Sequence, residues 1–230
     1  MRARDVMTTD LVTVGPGTTI ADVAHLMLDR RISGVPVVDD SGALVGIISE
    51  GDLMRRAELT TERRPWWDTA DATAEEKAEA YVKARGLTVG DVMSKEVVTV
   101  EEGDPLDHIA MLFEGRGIKR APVLRGGKVV GIVSRANLLQ GLAVGKVTDT
   151  GPGDRAIRSA ILTAAREDAG VRTTLLDVTV ANGVAHLWGN VGSEAERNAV
   201  RVAAENTDGV HEVRNHIRIL PPSVLSLEPE

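Results

Sequence analysis

Apolar residues recur with helical spacing at two places in the N-terminal part of the chain. In the first, they stand at i, i+3, i+4, i+7 and i+8, which predicts a helix with one apolar face: Ile20, Val23, Ala24, Met27 and Leu28. Thr19 and Asp22 have the spacing of a capping box at its start. In the second, Asp104 is a predicted N-cap and Pro105 a predicted first helical residue. The apolar stripe that follows is Leu106, Ile109, Ala110 and Phe113.

Two short β-branched runs follow the first predicted helix. Val35–Val38 and Leu44–Ile48 flank a polar turn that contains glycine, which predicts a β-hairpin. Leu53 then lies in a second predicted helix. The second place repeats this order, so each part is predicted as strand or turn, helix, strand, strand and helix.

The similarity of the two parts extends to residue identity. Residues 5–38 align with 91–124 without gaps, and 13 of these 34 positions are identical. A further stretch, 45–53, aligns with 130–138. A copy of this size buries little core alone, so two copies predict a pseudo-twofold pair that shares an interface.

Each copy resembles a CBS domain, and the two together resemble the tandem pair called a Bateman module. Three motifs carry the resemblance twice, in order, over about residues 1–144: Asp-Val-Met, Gly34–Val38 with its counterpart Arg120–Leu124, and Gly-Ile-Ile/Val-Ser-x-x-Asp/Asn. The resemblance implies an α/β (α+β) fold, with CBS domain 1 at 1–57 and CBS domain 2 at 89–144. It also implies a homodimer formed through the pair.

A helical insertion is predicted between the copies, at 58–88. Ala74–Arg85 is rich in Ala, Glu and Lys and is predicted to be helical. Trp66 and Trp67 are adjacent in a chain with only 2% aromatic residues, so they need a burial partner. Two interpretations stay open, namely packing on the repeat pair or contact with a partner or second subunit.

The C-terminal part has a different pattern, predicted as α-β-β-α-β. After a linker at 145–152, a helical stripe is followed by a strand that alternates apolar and polar residues, with Leu176, Val178 and Val180 on one face. Asn182–Gly183 is a strong signal for a type I′ hairpin turn. Ser193 and Glu196 then have capping-box spacing before a second helix, and a last strand ends at Ile219.

This part resembles a BON domain over 153–220, with a tail at 221–230. The resemblance rests on Asn-Gly-Val, Trp-Gly-Asn-Val and Gly-Val-x-x-Val-x-Asn. It implies contact with a membrane or with protein. Residues 151–230 carry 8 Arg and Lys against 11 Asp and Glu, so the sequence itself favours no anionic lipid surface, and a protein-contact or linker module stays open.

Composition narrows the classes of function. The chain has no cysteine, which excludes disulfides, thiolate catalysis and Cys-ligated metal sites. Its net charge of -7 disfavours binding to nucleic acid. It has no apolar run long enough to span a bilayer and no secretory signal pattern at its start, so we expect a cytoplasmic protein.

The strongest candidate for ligand chemistry is the segment from Gly46 to Asp52. Ser49 and Asp52 have capping-box spacing, and a carboxylate is stabilised at a helix start. An ionised carboxylate is also a bidentate acceptor for a ribose diol, which is the role that the resemblance implies for Asp52. Both roles stay open. The second copy has Asn137 here, which keeps hydrogen-bonding groups and lacks the charge.

The resemblance to ligand-binding CBS pairs implies two sites for an adenine nucleotide, each built across the copies. The first would contain Ser49, Gly51, Asp52, Met93, Val98, Ile118 and Lys119. The second would contain Ser134, Asn137, Met7, Val12, Ile32 and Ser33. The apolar members would sandwich the base, and ordinary core packing is the alternative for each of them.

Phosphate binding is assigned by the resemblance to a basic residue before the Ala-Pro pair, here Lys119 and Arg120. The first copy has Ser33–Gly34 at this place. The basic pair and Asp52 therefore belong to different copies. One partial site, a singly phosphorylated ligand and no nucleotide at all stay open as interpretations.

Enzyme signals do not accompany these motifs. The five histidines show no metal-binding spacing, and the sequence contains neither a nucleophile elbow nor a phosphate-binding loop. We therefore expect a non-catalytic regulatory or sensor protein that requires no cofactor, binds AMP, ADP or ATP, and passes occupancy to the BON domain or a partner. The alternative is a scaffold or membrane-associated adaptor whose BON domain attaches to phospholipid or protein while the CBS pair only dimerises.

Overall fold

The computed structural model describes residues 1–56, 73–144 and 152–220 and shows a mixed α/β fold. Its helices are α1 Ala3–Val6, α2 Ile20–Arg30, α3 Glu50–Leu53, α4 Ala74–Arg85, α5 Val89–Val92, α6 Leu106–Arg116, α7 Arg135–Val144, α8 Pro152–Glu167 and α9 Glu194–Glu205, with a 3-10 helix at Thr173–Leu175. Its strands are β1 Gly34–Val38, β2 Leu44–Ser49, β3 Val100–Glu101, β4 Arg120–Arg125, β5 Lys128–Ser134, β6 Leu176–Ala181, β7 Val184–Val191, β8 Glu212–Asn215 and β9 Arg218–Ile219.

The described residues divide into two compact units, and these units do not follow the repeats of the sequence. One unit, the first-repeat unit, contains Val12–Val98 and Gly126–Val129. The other contains Met1–Leu11, Thr99–Arg125 and the described residues from Val130 onward, so it includes the second repeat and the C-terminal part. Each repeat therefore folds with a segment that the sequence assigns to the other repeat.

The first-repeat unit is built around α2 and the hairpin of β1 and β2. The Thr19 side chain accepts a hydrogen bond from Asp22 N at 3.1 Å, so the predicted cap is present. Val23 and Met27 of α2 are buried with the hairpin in one core. Leu28, predicted on the same face, is 61% exposed, because it lies about 100° around the helix from Met27.

The predicted helix between the repeats is present as α4, with the bounds expected from its composition. It begins at a complete capping box formed by Thr73 and Glu76. Trp66 and Trp67 lie outside the described residues, and so does the rest of the insertion before Thr73.

The second repeat packs around α6 and a three-stranded sheet in the order β3-β4-β5. Ile109 and Phe113 of α6 are buried in its core together with Val6 and Met7 of the N-terminal segment. The helix begins one residue later than predicted, because Pro105 occupies the N-cap position. The predicted cap, Asp104, instead accepts from Glu101 N.

The C-terminal part has the predicted α-β-β-α-β order, with its last strand divided into β8 and β9. The turn between β6 and β7 is Asn182–Gly183, with φ of 52° and 73°, as a type I′ turn requires. Both β8 and β9 pair with β7 in parallel. Ala185 and Leu187 of β7 are fully buried against α8 and α9.

The buried residues described in α8 and α9 are apolar with one charged exception. Ile161 of α8 and Val200 and Ala204 of α9 are buried in the core of the C-terminal domain. On α8, Arg158 is buried at 7% exposure, although no apolar stripe includes it. Arg158 lies where α8 also meets the N-terminal segment, since it donates to Met7 O.

Candidate functional site

Asp52 lies at the start of α3, where it completes the predicted capping box. Its Oδ2 accepts hydrogen bonds from Ser49 N at 2.9 Å and from Ser49 Oγ at 2.7 Å. Its Oδ1 lies 3.5 Å from Ser94 Oγ, which is long for a hydrogen bond between a hydroxyl and a carboxylate. Ser49 therefore fixes the half-buried side chain through Oδ2. Oδ1 makes only the one long contact with Ser94.

The segment after α5 is held beside Asp52 by the end of β2. Ile47 and Ser94 exchange main-chain hydrogen bonds of 3.0 and 2.9 Å. A Cβ at Gly46 would collide with Met93 Sδ, so glycine permits this close approach. Met93 and Asp52 therefore lie in one neighbourhood, as the sequence implied.

Asn137 occupies the corresponding position at the start of α7. Its Oδ1 accepts from Ser134 N at 2.8 Å and from Ser134 Oγ at 2.7 Å. Its Nδ2 donates to Val6 O at 2.9 Å and to Asp177 Oδ2 at 3.3 Å. The residue is only 2% exposed, so both ends of its amide are already used within the protein.

Met7 repeats beside β5 the arrangement seen for Met93. A Cβ at Gly131 would collide with Met7 Sδ, and Thr8 exchanges main-chain hydrogen bonds with Ile132. Met7 and Asn137 are thus brought together, as expected from the sequence.

The other predicted residues divide between the two units. Val12 and Ile32 pack against the core that contains Met93, and Ser33 O accepts from Glu50 N at 3.2 Å. Val98 is half-buried in the same unit, and Gly51 is exposed in α3. These residues therefore belong to the unit of Asp52.

The unit of Asn137 contains the basic pair. Lys119 O accepts from Arg135 N at 3.0 Å, and its side chain is exposed, whereas Arg120 is half-buried. Ile118 packs against the core that contains Met7. Ile32 and Ile118 thus each pack against the core of their own repeat.

Sequence reasoning missed the residues of the C-terminal domain that reach the second repeat. Asp177 Oδ1 accepts from Thr8 Oγ1 at 2.9 Å, and Arg158 donates to Val178 O and Met7 O. Burial lowers the pKa of Arg158, while the nearby carboxylates of Asp177 and Asp5 raise it. The one available signal was an arginine inside a predicted amphipathic helix.

The described residues contain neither a membrane-spanning helix nor a cluster of metal ligands. Among residues 1–56, 73–144 and 152–220, no helix has the length and apolar character that a membrane span requires. Over the same ranges, His, Asp and Glu side chains form no cluster suited to a metal ion.

Comparison with protein families matches residues 3–58 and 89–144 to the CBS domain and residues 153–221 to the BON domain. The chain therefore belongs to the CBS-domain family and carries a tandem CBS pair followed by a BON domain. This confirms both resemblances seen in the sequence.

Three proteins illustrate the relationship. The chloroplastic CBS domain-containing protein CBSX2 of Arabidopsis thaliana is 31% identical over 57% of this chain and 58% of its own length, so the match spans less than two thirds of that relative. The crystal structure of CBSX2 in complex with AMP is similar with a TM-score of 0.56 and 29% identity, over 64% of this chain and 99% of that chain.

The other two relatives differ in size. An uncharacterized protein of Methanocaldococcus jannaschii is 32% identical over 62% of this chain and 91% of its own length. Inosine-5'-monophosphate dehydrogenase of Mycobacterium tuberculosis is 30% identical over 84% of this chain and 34% of its own length. The CBS pair is thus shared by relatives of different size and by an enzyme.

Proposed function

We propose that the chain is a non-catalytic regulatory protein whose CBS pair binds an adenine nucleotide, AMP, ADP or ATP, with Asp52 as the acceptor for the ribose hydroxyls. The state of the Asp52 carboxylate carries this proposal. Ser49 fixes Oδ2, while Oδ1 has only the Ser94 hydroxyl at 3.5 Å. A fixed carboxylate with a weakly used oxygen accepts charge-assisted hydrogen bonds without first losing a strong partner. The similarity to CBSX2, whose crystal structure is in complex with AMP, supports this ligand class.

We also propose that the other residues of the two predicted sites contact the nucleotide. Ser49, Gly51, Met93, Val98, Val12, Ile32 and Ser33 share the unit of Asp52. Met7, Ile118, Lys119, Arg120, Ser134 and Asn137 share the other. In this proposal the exposed Lys119 and the half-buried Arg120 provide the positive charge for phosphate, since phosphate binding needs cationic donors.

Nucleotide occupancy would be passed to the BON domain or to a partner. A ligand shifts a conformational equilibrium only by its difference in affinity for the two states. The contacts of Asp177 and Arg158 with Thr8 and Met7, in the N-terminal segment that folds with the second repeat, support the BON domain as the element that responds. We propose a cytoplasmic location, where adenine nucleotides are available, and cell fractionation tests it.

Self-association through the CBS pair is part of the proposal. Leu139 and Leu142 stand three residues apart on α7, on one face of the helix, and are 65% and 76% exposed. Met111 on α6 is 66% exposed. Exposed apolar side chains on one helix face favour burial against a second copy.

Isothermal titration calorimetry with AMP, ADP and ATP tests the function. We expect saturable binding by the wild type and at least about tenfold weaker binding by Asp52→Ala, because loss of a charge-assisted hydrogen bond costs about 1.5–3 kcal/mol. Asp22→Ala is the matched control, since Asp22 accepts from Thr19 Oγ1 at the start of α2 and has no proposed ligand contact. Equal binding by Asp52→Ala and the wild type would overturn the ribose role.

A further inference from the structure

The BON domain is tied to the second CBS repeat through the carboxylate of Asp177. Thr8 Oγ1 donates to its Oδ1 at 2.9 Å. Asn137 Nδ2 and Gln140 Nε2 each donate to its Oδ2 at 3.3 Å. One side chain of the BON domain thus accepts hydrogen bonds from both the N-terminal segment and α7.

Two further contacts extend this interface along the N-terminal segment. Arg158 of α8 donates through Nη2 to Met7 O and through Nε to Val178 O. Thr173 Oγ1 donates to Asp10 Oδ2 at 2.8 Å. Burial of an arginine costs free energy unless its donors are satisfied. The hydrogen bond from Arg158 to Met7 O therefore stabilises the docked arrangement of the BON domain.

A cavity of about 300 Å³ lies at this interface. Its lining includes Thr8 and Asp10 from the N-terminal segment and Arg158, Thr173 and Asp177 from the BON domain. The BON domain therefore covers the segment beside Asn137 with polar groups and leaves open space between the two surfaces.

The consequence for Asn137 follows from its hydrogen bonds. Ser134 occupies its oxygen, and Val6 and Asp177 accept from its amide nitrogen. An incoming ribose hydroxyl would have to replace one of these partners, and Asp177 is the one that belongs to another domain. Asp52 belongs to the first-repeat unit, and the partners of its carboxylate are Ser49 and Ser94.

We propose that Asp177 acts as an intramolecular occupant of the second nucleotide position, so that nucleotide binding beside Asn137 and docking of the BON domain exclude each other. This inference rests on the proposed function for the identity of the ligand. In the docked protein, nucleotide therefore fills only the first position, beside Asp52. When nucleotide fills the second position, beside Asn137, the BON domain is released.

The size of the effect follows from the docking equilibrium. When a site is available only in a minor conformation, its apparent affinity falls by the fraction of molecules in that conformation. Removing Asp177 raises that fraction and therefore raises the apparent affinity of the second position without changing its own contacts. The same change leaves the first position unaltered.

Calorimetry of the full chain with ATP tests the proposal. We expect the wild type to bind about one nucleotide per chain and Asp177→Ala to bind about two. Without the docking contact, a larger fraction of the molecules has the second position available for nucleotide. The doubly substituted Asp52→Ala, Asp177→Ala protein should retain only the second position, and Asn137→Ala added to it should remove binding. Asp208→Ala, at an exposed position of the same domain, is the matched control and should behave as wild type.

Small-angle X-ray scattering gives a readout that does not require the ligand. Asp177→Ala should have a larger radius of gyration than the wild type and Asp208→Ala, and saturating ATP should expand the wild type as well. Equal stoichiometry and equal scattering for Asp177→Ala and the wild type overturn the exclusion and leave the proposed function standing. Two nucleotides bound by the wild type with unchanged scattering also overturn it. Absence of nucleotide binding in every variant overturns the proposed function, and the exclusion with it. In that case a larger radius of gyration for Asp177→Ala than for the wild type still demonstrates docking through Asp177.

Discussion

Asp52 and Asn137 close matching capping boxes in the two CBS repeats, yet they meet different neighbours. The bond from the serine main-chain nitrogen is 2.9 Å long at Asp52 and 2.8 Å at Asn137, so both side chains make the same capping contact. Asp52 has a serine hydroxyl at 3.5 Å as its further partner, whereas Asn137 donates to the BON-domain carboxylate of Asp177. The two positions therefore differ in what covers the helix start.

The ribose role of Asp52 predicts discrimination between nucleotides. We expect 2′-deoxyadenosine monophosphate to bind the wild type about tenfold more weakly than AMP, because it lacks one hydroxyl that donates to the carboxylate. In Asp52→Ala the two nucleotides should bind equally, since the acceptor is gone. Titration calorimetry of both ligands against both proteins measures this, and discrimination that persists in Asp52→Ala would assign the ribose contact elsewhere.

The exposed face of α7 predicts a change in oligomeric state. Leu142→Glu places a charge at a position that is 76% exposed in the single chain and that we propose is buried in a dimer, so we expect a monomer. Leu87→Glu is the control, because Leu87 is 73% exposed and lies away from α7 in the sequence. Light scattering coupled to size-exclusion chromatography measures the mass, and a Leu142→Glu dimer would exclude this face as the interface.

Local features of the fold were predictable from the sequence because their causes are local. The N-cap of α2 at Thr19 and the turn at Asn182–Gly183 depend on residues within a few positions of one another. Both are present as predicted. The bounds of α4 were also predicted, since composition alone favours a helix there.

Contacts between domains were not predictable in the same way. Alternation along β6 shows that Asp177 points away from the core that holds Leu176 and Val178, and it favours solvent on that side. It carries no information about another domain that covers the same face. Likewise, the two repeats have similar N-terminal segments, and periodicity does not indicate which repeat each segment folds with, so this exchange of segments required the structure.

Two glycines predict opposite effects of alanine on stability. Gly189 has φ of 118°, and a Cβ there would collide with Leu175 O, so Gly189→Ala should lower the free energy of unfolding by about 1–3 kcal/mol. Gly115 lies in α6 with open space around its Cβ position, so Gly115→Ala should raise it by about 0.5–1 kcal/mol. Urea denaturation followed by circular dichroism measures both, and a stable Gly189→Ala protein would contradict the backbone geometry.

His186 predicts a pH dependence of BON-domain stability. The His186 ring lies beside Trp188 and His216, with centroid separations of 5.9 and 5.7 Å, while Trp188 and His216 stack on each other at 4.0 Å. Burial, and then the positive charges of Arg214 and His216, lower its pKa below the ordinary 6.5, while Glu212 raises it. The unfolded chain therefore binds more protons than the folded chain between the lowered pKa and 6.5. It follows that the contribution of His186 is complete above the unfolded value and is lost as the pH falls through the folded value.

His186→Phe isolates this contribution, because phenylalanine keeps an aromatic ring in the stack and has no proton to bind. We expect the free energy of unfolding of the wild type to fall between about pH 7.5 and pH 5, and that of His186→Phe to fall less over the same interval. His108→Phe, at an exposed position on α6, should retain the wild-type slope. Urea denaturation followed by tryptophan fluorescence measures the slopes, since Trp188 lies directly beside the ring, and equal slopes for His186→Phe and the wild type would show that another group titrates.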